Sequence, residues 1–161
     1  MTPKALEGYL NDHLGGATLG SDLAEQIRGQ SEGTPLGEVM ERLAAEIEED
    51  RETLVGLMDS LNVTRNPVKQ VTGWVAEKAS RVKFSGATSG EPDYGMFMAL
   101  ESLRLGVAGK KCLWIVLREA RGDYPELRNL GLDELLERAS SQESELERQR
   151  VATGVEALGR G

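Results

Sequence analysis

Apolar residues recur at alternating three- and four-residue steps through four long stretches of this chain, and no segment alternates with period two for long enough to make a strand. The fold class read from this pattern is all-α. Three dipeptides punctuate it, Thr2-Pro3, Thr34-Pro35 and Asn66-Pro67, each placing a capping side chain directly before a proline, the arrangement favoured where a helix begins. Asp93 and Asp133 are further candidate caps. The segments after the three prolines do not resemble one another, so no repeat is read.

The first helix, expected over about 3–30, carries Leu6, Leu10, His13, Ala17, Gly20, Ala24 and Ile27 on one stripe. The second, over about 35–61, carries Leu36, Met40, Leu43, Ile47, Asp50, Leu54, Leu57 and Leu61. A shorter helix over about 67–83 shows Val68, Val71, Val75, Ala79 and Val82. The stretch over about 94–120 has two stripes. One runs through Met98, Glu101, Leu105, Ala108, Cys112 and Ile115, the other through Leu100, Leu103, Val107, Lys110, Trp114 and Leu117, which marks it as the most buried element. The last helix, over about 133–158, has a weaker face of Leu135, Ala139, Gln142, Leu146 and Thr153.

With 161 residues the chain is read as one domain, 1–161. A link of about four residues containing Gly33 makes the first two helices antiparallel neighbours, and a turn around Gly122, Tyr124, Pro125 and Gly131 does the same for the last two. The segment between the hairpins, with its short helix, is long enough to run the length of a bundle, the overhand link of ferritin-like four-helix folds.

Composition narrows the function. Nineteen Lys and Arg stand against 27 Asp and Glu, a net charge of -8, which argues against nucleic acid and anionic membranes as partners. One Cys forms no internal disulfide, one His and one Cys exclude zinc sites built on those ligands, and no signal-peptide pattern opens the chain. A cytoplasmic location is expected. No apolar run approaches the roughly 20 residues that cross a bilayer.

Five polar residues interrupt the core stripes: His13, Asp50, Glu101, Lys110 and Gln142. Burying an unpaired polar group or charge is costly, so each should have a partner. Counted from Glu32 in the first turn, His13 lies 19 residues back and Asp50 lies 18 forward, so the two should be level. Lys110 and Gln142 sit at matching distances from the second turn, and parallel second and third long helices would bring all four into one mid-height layer. Such a layer is read as a satisfied polar cluster, Asp50 pairing with Lys110 or His13 and Gln142 completing the hydrogen bonds, or as a site for a small polar ligand. Glu101 should lie about two turns away, facing Arg104 or another cation.

The runs Tyr9-Leu10-Asn11-Asp12-His13-Leu14, Ala45-Glu46-Ile47-Glu48-Glu49-Asp50-Arg51, Asn66-Pro67-Val68-Lys69 with Gly73-Trp74, and Glu101-Ser102-Leu103-Arg104-Leu105-Gly106-Val107 with Gly109-Lys110 and Trp114 resemble a family of uncharacterised actinobacterial proteins with ferritin-like helical bundles. The resemblance spans nearly the whole chain. It implies the fold and a bacterial cytoplasmic setting, and carries no activity. Ferritin-like bundles hold di-iron through inward carboxylates and two Glu-x-x-His pairs. This chain has no Glu-x-x-His, and a lysine in the layer would repel a metal. If a metal-dependent oxidase or iron-handling protein were nonetheless built here, its ligands would be His13, Glu46, Asp50 and Glu101. No cofactor is expected.

Gly16 and Gly20 are read as a close-packing site within the bundle, and Cys112 as a small buried residue. Gly106 to Lys111 lacks the spacing and the hydroxyl of a phosphate loop. The crossover is locally basic, Arg65, Lys69, Lys78, Arg81 and Lys83 against Glu77, and with Trp74 it forms an amphipathic face that packs on the acidic bundle or docks an acidic partner. The two stripes of the third long helix are wide enough for a homodimer contact. The combined reading is a non-enzymatic binding or interaction module for an unknown protein or small molecule.

Overall fold

In the computed structural model, which describes residues 2–66 and 91–160, Thr34 opens the second helix by accepting a hydrogen bond on Oγ1 from Gly37 N at 3.1 Å, with Pro35 in the first turn. The same hydroxyl donates back to Ser31 O at 2.5 Å. Gly33 completes this link with φ +79°, a left-handed conformation that costs other residues strain. The turn joins α1 (Lys4–Gln30) to α2 (Pro35–Ser60). After the undescribed segment come α3 (Pro92–Ala120), a 3-10 turn at Pro125–Leu127, and α4 (Leu132–Leu158). The described residues are all-helical, with no strand among them.

The other expected caps serve differently. Thr2 Oγ1 donates to Leu61 O at 2.9 Å instead of capping α1. The third helix starts at Pro92 and the fourth follows Gly131, itself left-handed at φ +67°. Asp93 and Asp133 therefore fall inside first turns, where a carboxylate still complements the helix dipole. Asn66 N donates to Asn11 Oδ1 at 2.7 Å, while Asn11 Nδ2 donates to Glu7 O and Thr64 O, tying the end of the first hairpin to α1. The expected crossover helix over 67–83, with Lys69, Trp74, Lys78, Arg81 and Lys83, lies outside the described residues. Arg65, at its edge, sits 3.5 Å from Asp59 Oδ1.

All four helices contribute to one apolar core, led by Leu10 and Ile27 of α1, Met40, Leu43 and Leu54 of α2, Leu100, Leu103, Trp114 and Leu117 of α3, and Ala139 and Leu146 of α4. Only one of the two α3 stripes is buried along its length. The other surfaces toward its end, where Cys112 is exposed together with Ile115 and Val116. Cys112 is a surface thiol rather than a core residue, because α3 packs against α1 and α4 and this sector is left outside both contacts.

Ion pairs fix the directions. Glu101 meets Arg150, Arg104 meets Glu147 and Arg118 meets Asp133, so residue numbers fall on α4 as they rise on α3. On α2, Glu46 lies at Gln142 and Asp50 at Arg138, so α2 and α4 are also antiparallel. The second and third long helices thus run the same way. α1 packs broadly on α2, whereas α2 and α4 touch along a short stretch only. No described helix is long and apolar enough to cross a membrane.

Candidate functional site

That thin α2–α4 seam is bridged by long polar side chains. Asp50, 1% exposed, projects from α2 and accepts a hydrogen bond on Oδ2 from Lys110 Nζ of α3 at 2.6 Å. Its other oxygen, Oδ1, accepts from Arg138 Nη2 at 2.5 Å and Nε at 3.1 Å. Gln142 of α4, fully buried, accepts from Lys110 Nζ on Oε1 at 2.6 Å and donates through Nε2 to Asp50 Oδ2 and Glu46 Oε2, each at 3.3 Å. Arg138 Nη1 adds a bond to Glu49 Oε2 at 2.9 Å. Two carboxylates face two cations here, and both oxygens of Asp50 are engaged.

Burial pushes the pKa of the Lys110 ammonium down, and the opposing pull of Asp50 only partly offsets it. Burial also opposes the Arg138 charge, but Asp50 and Glu49 together outweigh it and hold that guanidinium above its usual range.

Asp50, Lys110 and Gln142 are brought together. His13 does not join them. Its ring lies edge-on to Tyr9, with centroids 4.6 Å apart, and it makes no hydrogen bond among the described residues. Burial holds its pKa below the ordinary imidazole range, against a smaller opposing pull from Asp12. Arg138, absent from the sequence reading, takes the place expected of His13. The signal that could have found it is its position four residues before Gln142, one turn along the same face.

The metal ligand set His13, Glu46, Asp50 and Glu101 is not assembled. Glu101 pairs with Arg150 at 3.3 Å, Glu46 with Arg42 at 3.3 Å, and Asp50 is held between two cations. Among the described residues, no three His, Cys, Asp or Glu side chains converge on a point that could hold a metal. Arginine and lysine have taken the lone pairs a metal would need.

His13, Asp50 and Lys110 instead line one cavity of about 270 Å³ between α1, α2 and α3. Its walls are mostly apolar, built by Ile47, Leu54, Leu103, Val107, Leu113 and Trp114. Four helical glycines complete them, Gly16 and Gly20 from α1, Gly106 and Gly109 from α3. A Cβ added at any of the four would meet no atom within 4 Å among the described residues. Gly16 and Gly20 are therefore not a close-packing site, contrary to expectation. Each such glycine costs a helix interior about 1 kcal/mol relative to alanine, yet none is required by a neighbour. Their shared effect is to leave the cavity open.

Trp114 adds a second irregularity. The residue is 1% exposed, and its Nε1–H is buried with no hydrogen-bond partner. Leaving such a donor unsatisfied costs about 1–3 kcal/mol. The glycines and the indole were both visible in the sequence, but emptiness and lack of a partner are properties of three-dimensional surroundings. Compared with protein-family models, curated proteins and solved structures, the chain finds no match.

Proposed function

We propose that this chain is a non-enzymatic binding module of ferritin-like, up-down-down-up bundle topology, in which the Asp50, Lys110, Arg138 and Gln142 cluster is structural and the adjoining cavity receives a small molecule. The same reading keeps it with the actinobacterial bundle family and in a bacterial cytoplasm, on the strength of the sequence runs that resemble that family. The parallel course of α2 and α3 supports the topology.

The observation that carries the binding function is the glycine-lined cavity. Folding alone would favour alanine at Gly16, Gly20, Gly106 and Gly109, since each position has room for it. A chain that keeps glycine at all four walls of one cavity gives up stability for volume. The acids around it are engaged with cations, so none stands ready for acid–base chemistry.

Titration with benzene, followed through the methyl resonances of Leu54, Leu103, Val107 and Leu113, tests the reading. Saturable shifts confined to these wall residues are expected, since apolar cavities of about 150 Å³ already take up benzene. An absence of saturable shifts up to the solubility of benzene would overturn it. Elemental analysis of protein purified without chelator addresses the oxidase alternative, and stoichiometric iron or manganese would revive it.

A further inference from the structure

The cavity has a chemistry as well as a volume. We infer that it selects a compact neutral molecule, apolar over most of its surface and carrying one hydrogen-bond acceptor of the carbonyl type, which takes the Trp114 indole N–H. This rests on the binding function proposed above and narrows it to a ligand class.

Size comes first. Scaling from the roughly 150 Å³ that holds benzene, a space of about 270 Å³ accommodates on the order of ten non-hydrogen atoms. A monocyclic or short branched molecule fits, whereas a nucleotide or a haem does not.

Charge comes second. Every cation on the wall already faces a carboxylate: Lys110 lies 2.6 Å from Asp50 Oδ2 and Arg51 lies 2.6 Å from Glu48 Oε1. His13 is kept neutral by its burial. An anionic ligand would meet the charges of Asp50 and Asp12 with no uncommitted cation to receive it, and a cationic one would compete with Lys110 and Arg138 for Asp50. A neutral ligand disturbs neither arrangement.

Polarity comes third. A wall of leucine, isoleucine and valine rewards apolar surface. The buried indole N–H is a donor without an acceptor, and as a donor only it is satisfied by a ligand oxygen and not by a ligand N–H or O–H proton. A carbonyl or ether oxygen on an otherwise greasy frame answers both features together.

The probes are cyclohexanone and methylcyclohexane, similar in shape and differing in the acceptor, with cyclohexanecarboxylate as the charged counterpart. In the full chain, cyclohexanone should shift the Trp114 indole N–H proton downfield and methylcyclohexane should not; Trp74→Phe assigns the two indole signals. The ratio of cyclohexanone to methylcyclohexane affinity should fall by about tenfold in Trp114→Phe, the worth of one hydrogen bond, while methylcyclohexane still binds. Solvation differences between the probes cancel in this cycle. Cyclohexanecarboxylate should bind more weakly than cyclohexanone.

If benzene binds but the indole proton ignores cyclohexanone, or the affinity ratio is unchanged in Trp114→Phe, the acceptor claim is overturned while the binding function stands. Should the carboxylate bind as tightly as the ketone, neutrality is overturned. If no probe binds, the function proposed above fails with it. Were Trp114→Phe unable to fold, the indole shift in the unaltered chain decides the question by itself.

Discussion

Lys110 Nζ lies 2.6 Å from Asp50 Oδ2, linking the middle of α3 to the middle of α2 where the aspartate is 1% exposed. Removing one partner strands the other. Asp50→Leu should destabilise the protein by about 3–5 kcal/mol in urea unfolding, because Lys110 and Arg138 lose their shared acceptor. The double replacement Asp50→Leu with Lys110→Met should recover a large part of that loss. A single variant that unfolds within about 1 kcal/mol of the parent would show that the pair contributes little.

Acid should weaken the fold through His13. The folded chain holds this imidazole below its ordinary pKa, so on lowering the pH the unfolded chain protonates first, near the usual value of about 6.5. The His13 effect is absent above that pH, and stability falls as the pH drops from there through the lower, folded pKa. Melting temperatures measured between pH 8 and pH 5 should decline in the parent and decline less in His13→Asn. Parallel curves for the two proteins would remove His13 from the account.

Gly16→Ala, Gly20→Ala, Gly106→Ala and Gly109→Ala should each raise stability by about 0.5–1 kcal/mol, since the methyl finds open space and the helix gains propensity. Each should also weaken benzene uptake, and Gly16→Leu should abolish it. Thermal melts and the same benzene titration read both effects. An alanine variant that loses stability would mean these positions are crowded after all.

The opposite outcome is expected at Gly37 and Gly154. A Cβ at Gly37 would lie 2.2 Å from the Ser31 carbonyl oxygen, and one at Gly154 would lie 2.6 Å from the Phe97 ring. Backbone cannot step aside as a side chain can, so Gly37→Ala should cost more than Gly154→Ala, which is set at about 1–3 kcal/mol by overpacking. Equal melting temperatures for the two variants would contradict this ordering.

The spacing of apolar residues and the Thr34-Pro35 cap make the helices legible, because those signals act within a few residues of chain. Counting from the turns also gives height, and Asp50, Lys110 and Gln142 do share one. Height leaves the direction in which a side chain points undetermined. His13 is at the right level but faces the cavity beside Tyr9, while Arg138, one turn from Gln142, reaches Asp50 in its stead. Cys112 was misplaced for a related reason: two stripes on one helix look equally greasy until its neighbours choose between them. The glycines were read as contact points because small residues often are, and only the surroundings of each Cβ reveal a void.

The charged seam between α2 and α4 permits a single vertical setting. Slipping α4 along α2 by one turn, about 5.4 Å, would carry Arg138 to buried Leu54 in one direction and draw the acid Glu134 toward Asp50 in the other. Leucines would tolerate either slide with modest repacking. An aspartate that must meet an arginine, a lysine and an amide tolerates neither, so the two hairpins click together like a key cut for one notch, and the hollow beside them keeps its shape from molecule to molecule.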